Sequence, residues 1–101
     1  MNNITIEERE ALGELGGRLR GLRLLRNESQ QLMGERLGMS RQRYARMESG
    51  DPRIPIGSWI AASALVNRLD DWHSLLQEEE DLFLRAEIER KRKSRKRASK
   101  K

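Results

Sequence analysis

The sequence predicts an all-α fold in which five short helices carry a helix-turn-helix and a basic C-terminal segment, part helix and part disordered tail, follows. Three observations carry that prediction. Leu12, Leu15, Leu19 and Leu22 recur at the spacing of one helical face near the start of the chain. The stretch SQQLMGERLGMSRQRYARMESG, residues 29–50, holds two short helical patterns divided by a glycine-centred break. Residues 18–53 carry 9 arginines against the acids Glu28, Glu35, Glu48 and Asp51, so a basic surface coincides with those two helices.

A chain of 101 residues accommodates one domain and one helical core, without a substrate cleft between lobes. Apolar residues make up 36% and charged ones 37%, so part of the length is expected to be solvated. The absence of cysteine removes disulfides and thiolate metal sites and fits a reducing compartment. The polar, acidic start MNNITIEERE is not expected to act as a signal peptide, and the run Ile60–Val66 is too short to span a bilayer. A soluble, cytoplasmic, nucleoid-associated protein is expected. The net charge of +5 is uneven: from residue 85 onward there are 10 lysines and arginines against Glu87 and Glu89, and the remaining body is net acidic.

Taken in order, residues 1–11 are expected to form a flexible lead, with Thr5 able to cap at most a short turn. The domain proper is expected over residues 12–77. Its first helix should run from Leu12 to about Arg26, interrupted by Gly13, Gly16, Gly17 and Gly21, each costing roughly 1 kcal/mol against alanine. The pair Gly16-Gly17 is an alternative start. Ser29 can cap the second helix and Gly38 end it, and Ser40 can cap the third. In the third helix only Tyr44 and Met47 are large and apolar, a narrow buried stripe. The rest is Arg41, Gln42, Arg43, Ala45 and Arg46, side chains suited to phosphates and to base edges. A solvated helix normally mixes in acids, and Arg41–Met47 has none.

Gly50-Asp51-Pro52 reads as a turn, and a fourth, central helix should begin near Pro55 and bury Ile56, Trp59, Ile60, Ser63 or Ala64, and Val66. A short fifth helix, capped by Asp70 or Asp71, should present Trp72, Leu75 and Leu76 to the core or a partner. Residues 78–101 change from acidic to basic. A helix over about 78–92, with Asp81–Arg85, Glu87–Lys91 and Glu89–Lys93 at i,i+4 spacing, should precede a disordered basic run. His73 is the only histidine, so no metal site is expected, nor any cofactor. Nothing forms a nucleophile arrangement, and Gly16-Gly17 lacks the context of a phosphate loop, so an enzyme is not expected.

The elements LGGRLRGLR, Ser29-Gln30, GERLGMSR and MESG resemble the Xre, or lambda-repressor-like, family of helix-turn-helix regulators, over about Leu15–Leu76. The resemblance implies an ion pair between Arg23 of the first helix and Glu48 of the third. It places Gln30 at the start of the second helix and implies base reading by Arg41, Gln42 and Arg46. Phosphate positioning is expected from Ser29, Gln30, Ser40 and Arg43, two of them at helix N-termini.

The stretch SGDPRIPIGSWIAASALVNRLDDWHSLL is further similar to HipB-like antitoxins that accompany HipA-type serine/threonine kinase toxins. It departs from them in Pro55, where a serine would cap, and Gly34, where alanine is usual. The resemblance implies a repressor that autoregulates its toxin–antitoxin operon and a HipA-like kinase as partner. A dimer on an inverted repeat of double-stranded DNA is expected, held through the fifth helix and Leu82–Leu84, with the kinase on the acidic strip Glu78–Asp81 beside Leu82 and Phe83. A stand-alone phage-type repressor, and a protein whose main work is direct inhibition of an enzyme, remain the alternatives.

Overall fold

Thr5 starts the first helix. Its hydroxyl accepts from the backbone N–H of Glu8 at 3.0 Å, and its own N–H donates to the Glu8 carboxylate at 2.9 Å. This reciprocal pair satisfies two of the donors that a helix start leaves unpaired. The computed structural model, which describes residues 3–78 and 82–99 and the side chains of 3–78 and 85–94, is all-helical, with five α-helices and one 3₁₀ helix among the described residues. They are α1 (Ile6–Leu25), α2 (Gln30–Leu37), α3 (Arg41–Glu48), α4 (Ile56–Leu65), the 3₁₀ helix (Leu69–His73) and α5 (Leu82–Ser99).

Because of that cap, α1 begins at Ile6 and not at Leu12, so residues 6–11 are helical, with exposed side chains, where a flexible lead was expected. The Gly16-Gly17 pair lies inside the helix and is not its start. Gly16 has a packing reason: a Cβ there would stand 2.3 Å from the Glu48 carbonyl oxygen. Its absence lets α1 cross directly over the end of α3, which offsets the helical cost of glycine.

The turn between α2 and α3 follows the sequence closely. Ser29 accepts from the N–H of Leu32 at 3.0 Å and Ser40 from that of Arg43 at 3.1 Å. Gly38, at φ 68°, is the left-handed residue that ends α2. Gly34 faces this turn, and a Cβ there would meet the Met39 carbonyl oxygen at 2.8 Å, which accounts for glycine in place of alanine.

The core gathers Leu19, Met33, Tyr44, Met47, Ile54, Trp59, Ala62 and Val66. α3 contributes only Tyr44 and Met47 to it, the narrow stripe read from the sequence. In α4 the outcome differs. Ile56 is 65% exposed and Ile60 38%, and the isoleucine that is buried is Ile54, in the preceding loop. Trp59, Ala62 and Val66 share the inward face, whereas Ile60 is displaced by about 100° from Trp59. Pro55 stands at the N-cap of α4 without a side-chain hydrogen bond.

The expected fifth helix is a 3₁₀ helix that ends at His73, with Arg68 ahead of it and Asp70 and Asp71 inside it, so neither aspartate caps it. It is held by Trp72, whose indole N–H donates to the Ser63 hydroxyl at 2.8 Å; that hydroxyl donates to the Trp59 carbonyl at 2.8 Å. Leu75 and Leu76 stay exposed.

α5 starts at Leu82, later than residue 78, and continues to Ser99, so the basic run to residue 99 is helical where disorder was expected. Alanine, arginine and lysine are good helix formers, and cations suit a C-terminal end. Glu87 pairs with Arg90 at 3.4 Å and not with Lys91, and Arg92 reaches back to Glu78. Of the expected dimer contact (the fifth helix and Leu82–Leu84) and kinase contact (Glu78–Asp81 beside Leu82 and Phe83), residues 79–81 and the side chains of Leu82–Leu84 lie outside the described residues.

Candidate nucleic-acid interface

α3 is two-sided. Tyr44, Met47 and Glu48 point inward, Ala45 is half-buried, and Arg41, Gln42, Arg43 and Arg46 are exposed. Gln42 and Arg46 are four residues apart and share one edge of the helix. Among the described residues, five of the nine arginines in 18–53 pair with a carboxylate: Arg18 with Glu14, Arg23 with Glu48, Arg26 and Arg36 with Glu28, and Arg53 with Asp51. The four without such a partner are Arg20 and the three arginines of α3. Three of these four unpaired arginines therefore stand on the exposed side of one short helix, where an external anion gains most.

What holds that face in place is a buried network. Arg23 Nε donates to Glu48 Oε2 at 2.6 Å and Nη2 to Oε1 at 3.0 Å, while Nη1 donates to the Glu28 carbonyl at 2.8 Å. The side chains are 8% and 3% exposed. Burial alone would raise the Glu48 pKa, but the hydrogen bonds from Arg23 and Gln30 outweigh it and hold the carboxyl below its ordinary range. The same hydrogen bond keeps Arg23 more firmly protonated. The Tyr44 hydroxyl is buried beside the pair, and burial, then Glu48, pushes its pKa up.

Gln30 belongs to the network as well, donating its side-chain amide to Glu48 Oε1 at 3.0 Å. α1, α2 and α3 thus meet on one carboxylate. Ser29 and Ser40 are exposed, their hydroxyls engaged as caps at the two helix starts that flank the turn.

Two further carboxylates carry structure that sequence reasoning did not single out. Glu28 binds Arg26 at 2.5 Å and also Arg36, bringing together the corner between α1 and α2, and the Arg26 hydrogen bond is the main reason its pKa falls. Asp51 accepts the Arg53 backbone N–H at 2.9 Å and both arms of its guanidinium, which lowers its pKa to about 2. The signal for the second was the spacing of an aspartate two residues before an arginine in a turn.

Among the described residues no group of three histidine, aspartate or glutamate side chains could hold a metal ion, and no helix is long and apolar enough to cross a membrane. No curated protein and no solved structure matches the chain. A family described as Helix-turn-helix domain does match, over residues 14–83, which takes in most of α1 and all of α2, α3 and α4. With that span and the free arginine face of α3, the chain belongs to the helix-turn-helix domain family, whose fold binds DNA.

Proposed function

We propose that the protein is a sequence-specific transcriptional repressor in which α3 enters the major groove of double-stranded DNA. Arg41, Gln42 and Arg46 read base edges there, Gln42 suited to adenine and Arg46 to guanine. The observation that carries this reading is the outward face of α3, three arginines without an ion-pair partner among the described residues and one amide, backed by Tyr44, Met47 and Glu48. Arg43 and the N-terminal turns of α2 and α3, at Ser29, Gln30 and Ser40, position the protein on phosphates. Gln30 keeps one amide N–H beyond the one given to Glu48.

The test is a pair of alanine substitutions. Gln42→Ala or Arg46→Ala should weaken operator binding by about 1–3 kcal/mol and random DNA far less. Equal weakening on both would make these residues phosphate contacts.

A single domain reads only a few base pairs, so the working form is a two-fold dimer on an inverted repeat, with half-sites about 34 Å apart or a multiple. The similarity of residues 49–76 to HipB-like antitoxins supports a narrower role, autoregulation of an operon shared with a HipA-like kinase. Copurification with the product of the adjacent gene tests it: a kinase that stays bound after nuclease treatment supports the antitoxin role, and no such complex returns the protein to a stand-alone repressor.

A further inference from the structure

On the side of α1 that faces the 3₁₀ helix, the chain leaves an apolar groove of about 730 Å³, floored by Leu15, Leu22, Trp59, Val66 and Trp72. Its lips are Leu25, 84% exposed, and Leu75, 55% exposed. None of the described α5 side chains lines it. An apolar groove running along a helix fits the apolar face of another helix.

We propose that the groove receives α5 of a second copy of this chain, lying antiparallel along α1. The argument is charge and length. α1 begins with the exposed acids Glu7, Glu8, Glu10 and Glu14. α5 complements it: Leu82, Phe83, Leu84 and Ile88 stand at its start in the sequence, and the exposed Arg90, Lys91, Arg92 and Lys93 follow. Laid antiparallel, the apolar start of α5 meets the groove beside Leu25. Its basic turns then meet the acidic start of α1. The two helices are 20 and 18 residues long, so the match extends over both. Within one chain α5 is formed and Arg92 is tied back to Glu78, yet the groove lips stay exposed. None of the described α5 side chains, residues 85–94, covers the groove within the chain, which leaves it to the partner's helix, and two-fold symmetry makes the exchange reciprocal.

The inference rests on the two-fold reading of the operator. Its test uses the full chain in sedimentation equilibrium, with Leu25→Glu altering the groove and Ile88→Glu altering the helix. Leu25 is too exposed for its loss to unfold the domain, and circular dichroism confirms the fold of both variants. Wild type should be a dimer and each variant should self-associate at least about tenfold more weakly. An equimolar mixture of the two should form a heterodimer, weaker than wild type, through the one groove and one helix left intact. A monomeric wild type, a variant as dimeric as wild type, or a mixture that does not associate overturns the proposal. Binding of the monomeric variants to an isolated half-site separates this from the DNA reading: the exchange can fail while α3 still binds, and loss of half-site binding in an intact dimer sinks the DNA reading alone.

Discussion

Glu48→Ala is the most informative single change. In the native chain its carboxylate takes two hydrogen bonds from Arg23 and one from Gln30, with 3% of its side chain exposed. Alanine leaves the Arg23 guanidinium, 8% exposed, with only the Glu28 carbonyl as partner. Removing one member of a buried pair costs about 3–5 kcal/mol, because the remaining charge is uncompensated. A domain of this size holds about 5–15 kcal/mol in all, so the variant should lose about a fifth of its stability or more. Urea unfolding followed by the fluorescence of Trp59 and Trp72 measures this, with far-UV circular dichroism as the second probe. Replacing both Arg23 and Glu48 by apolar residues should cost less than the sum of the single changes, since no bare charge remains. A loss below about 1 kcal/mol for Glu48→Ala, the range of an exposed bridge, would refute the reasoning. So would strict additivity in the double-mutant cycle.

Gly16→Ala should destabilise by about 1–3 kcal/mol, because a Cβ 2.3 Å from the Glu48 carbonyl forces α1 and α3 apart; Gly17→Ala, with nothing within 4 Å, should instead stabilise by up to about 1 kcal/mol. Thermal melts of the two side by side decide whether the helix crossing is real. Stability should fall in acid: Glu48 and Asp51 have depressed pKa values in the fold, so their contributions are present above their ordinary values and disappear as pH falls through the folded ones. For Asp51 that window runs from 3.8 down to about 2, and a melting temperature unchanged across it would contradict the pairing with Arg53. Arg43→Ala should weaken binding to all DNA sequences alike and reduce the slope of log affinity against log salt by about one, as read in a fluorescence-anisotropy titration; a sequence-dependent loss would move Arg43 to the bases.

The helix-turn-helix was legible because its signals are local: a serine at each start, a glycine at the end of α2, and an arginine-rich helix with only two apolar residues. The sequence pattern failed where the deciding contact is distant in the chain. Gly16 looks like a helix breaker until Glu48 is placed over it. Ile54, Ile56 and Ile60 are chemically equivalent, and only the orientation of α4 decides that the loop isoleucine is buried. Trp72 was readable as a core residue, but the 3₁₀ geometry depends on Ser63 accepting its indole N–H. The place of Gln30 at a helix start suggests a phosphate contact, whereas its amide donates to a carboxylate 18 residues away. The face of Leu15, Leu22 and Leu25 reads as core by periodicity, and the sequence holds no sign that it remains an open groove.

The division of α3 into two faces has a consequence for how binding preference can change. The residues that attach the helix to the body, Tyr44, Met47 and Glu48, share no member with the set proposed to read bases, Arg41, Gln42 and Arg46. Drift at the reading positions therefore meets little resistance from folding, since exposed helical substitutions remain within about 0.5 kcal/mol. Such a helix is a replaceable cassette: a library randomised at those three positions should yield many folded proteins with different operators, while the same library at positions 44, 47 and 48 should yield almost none.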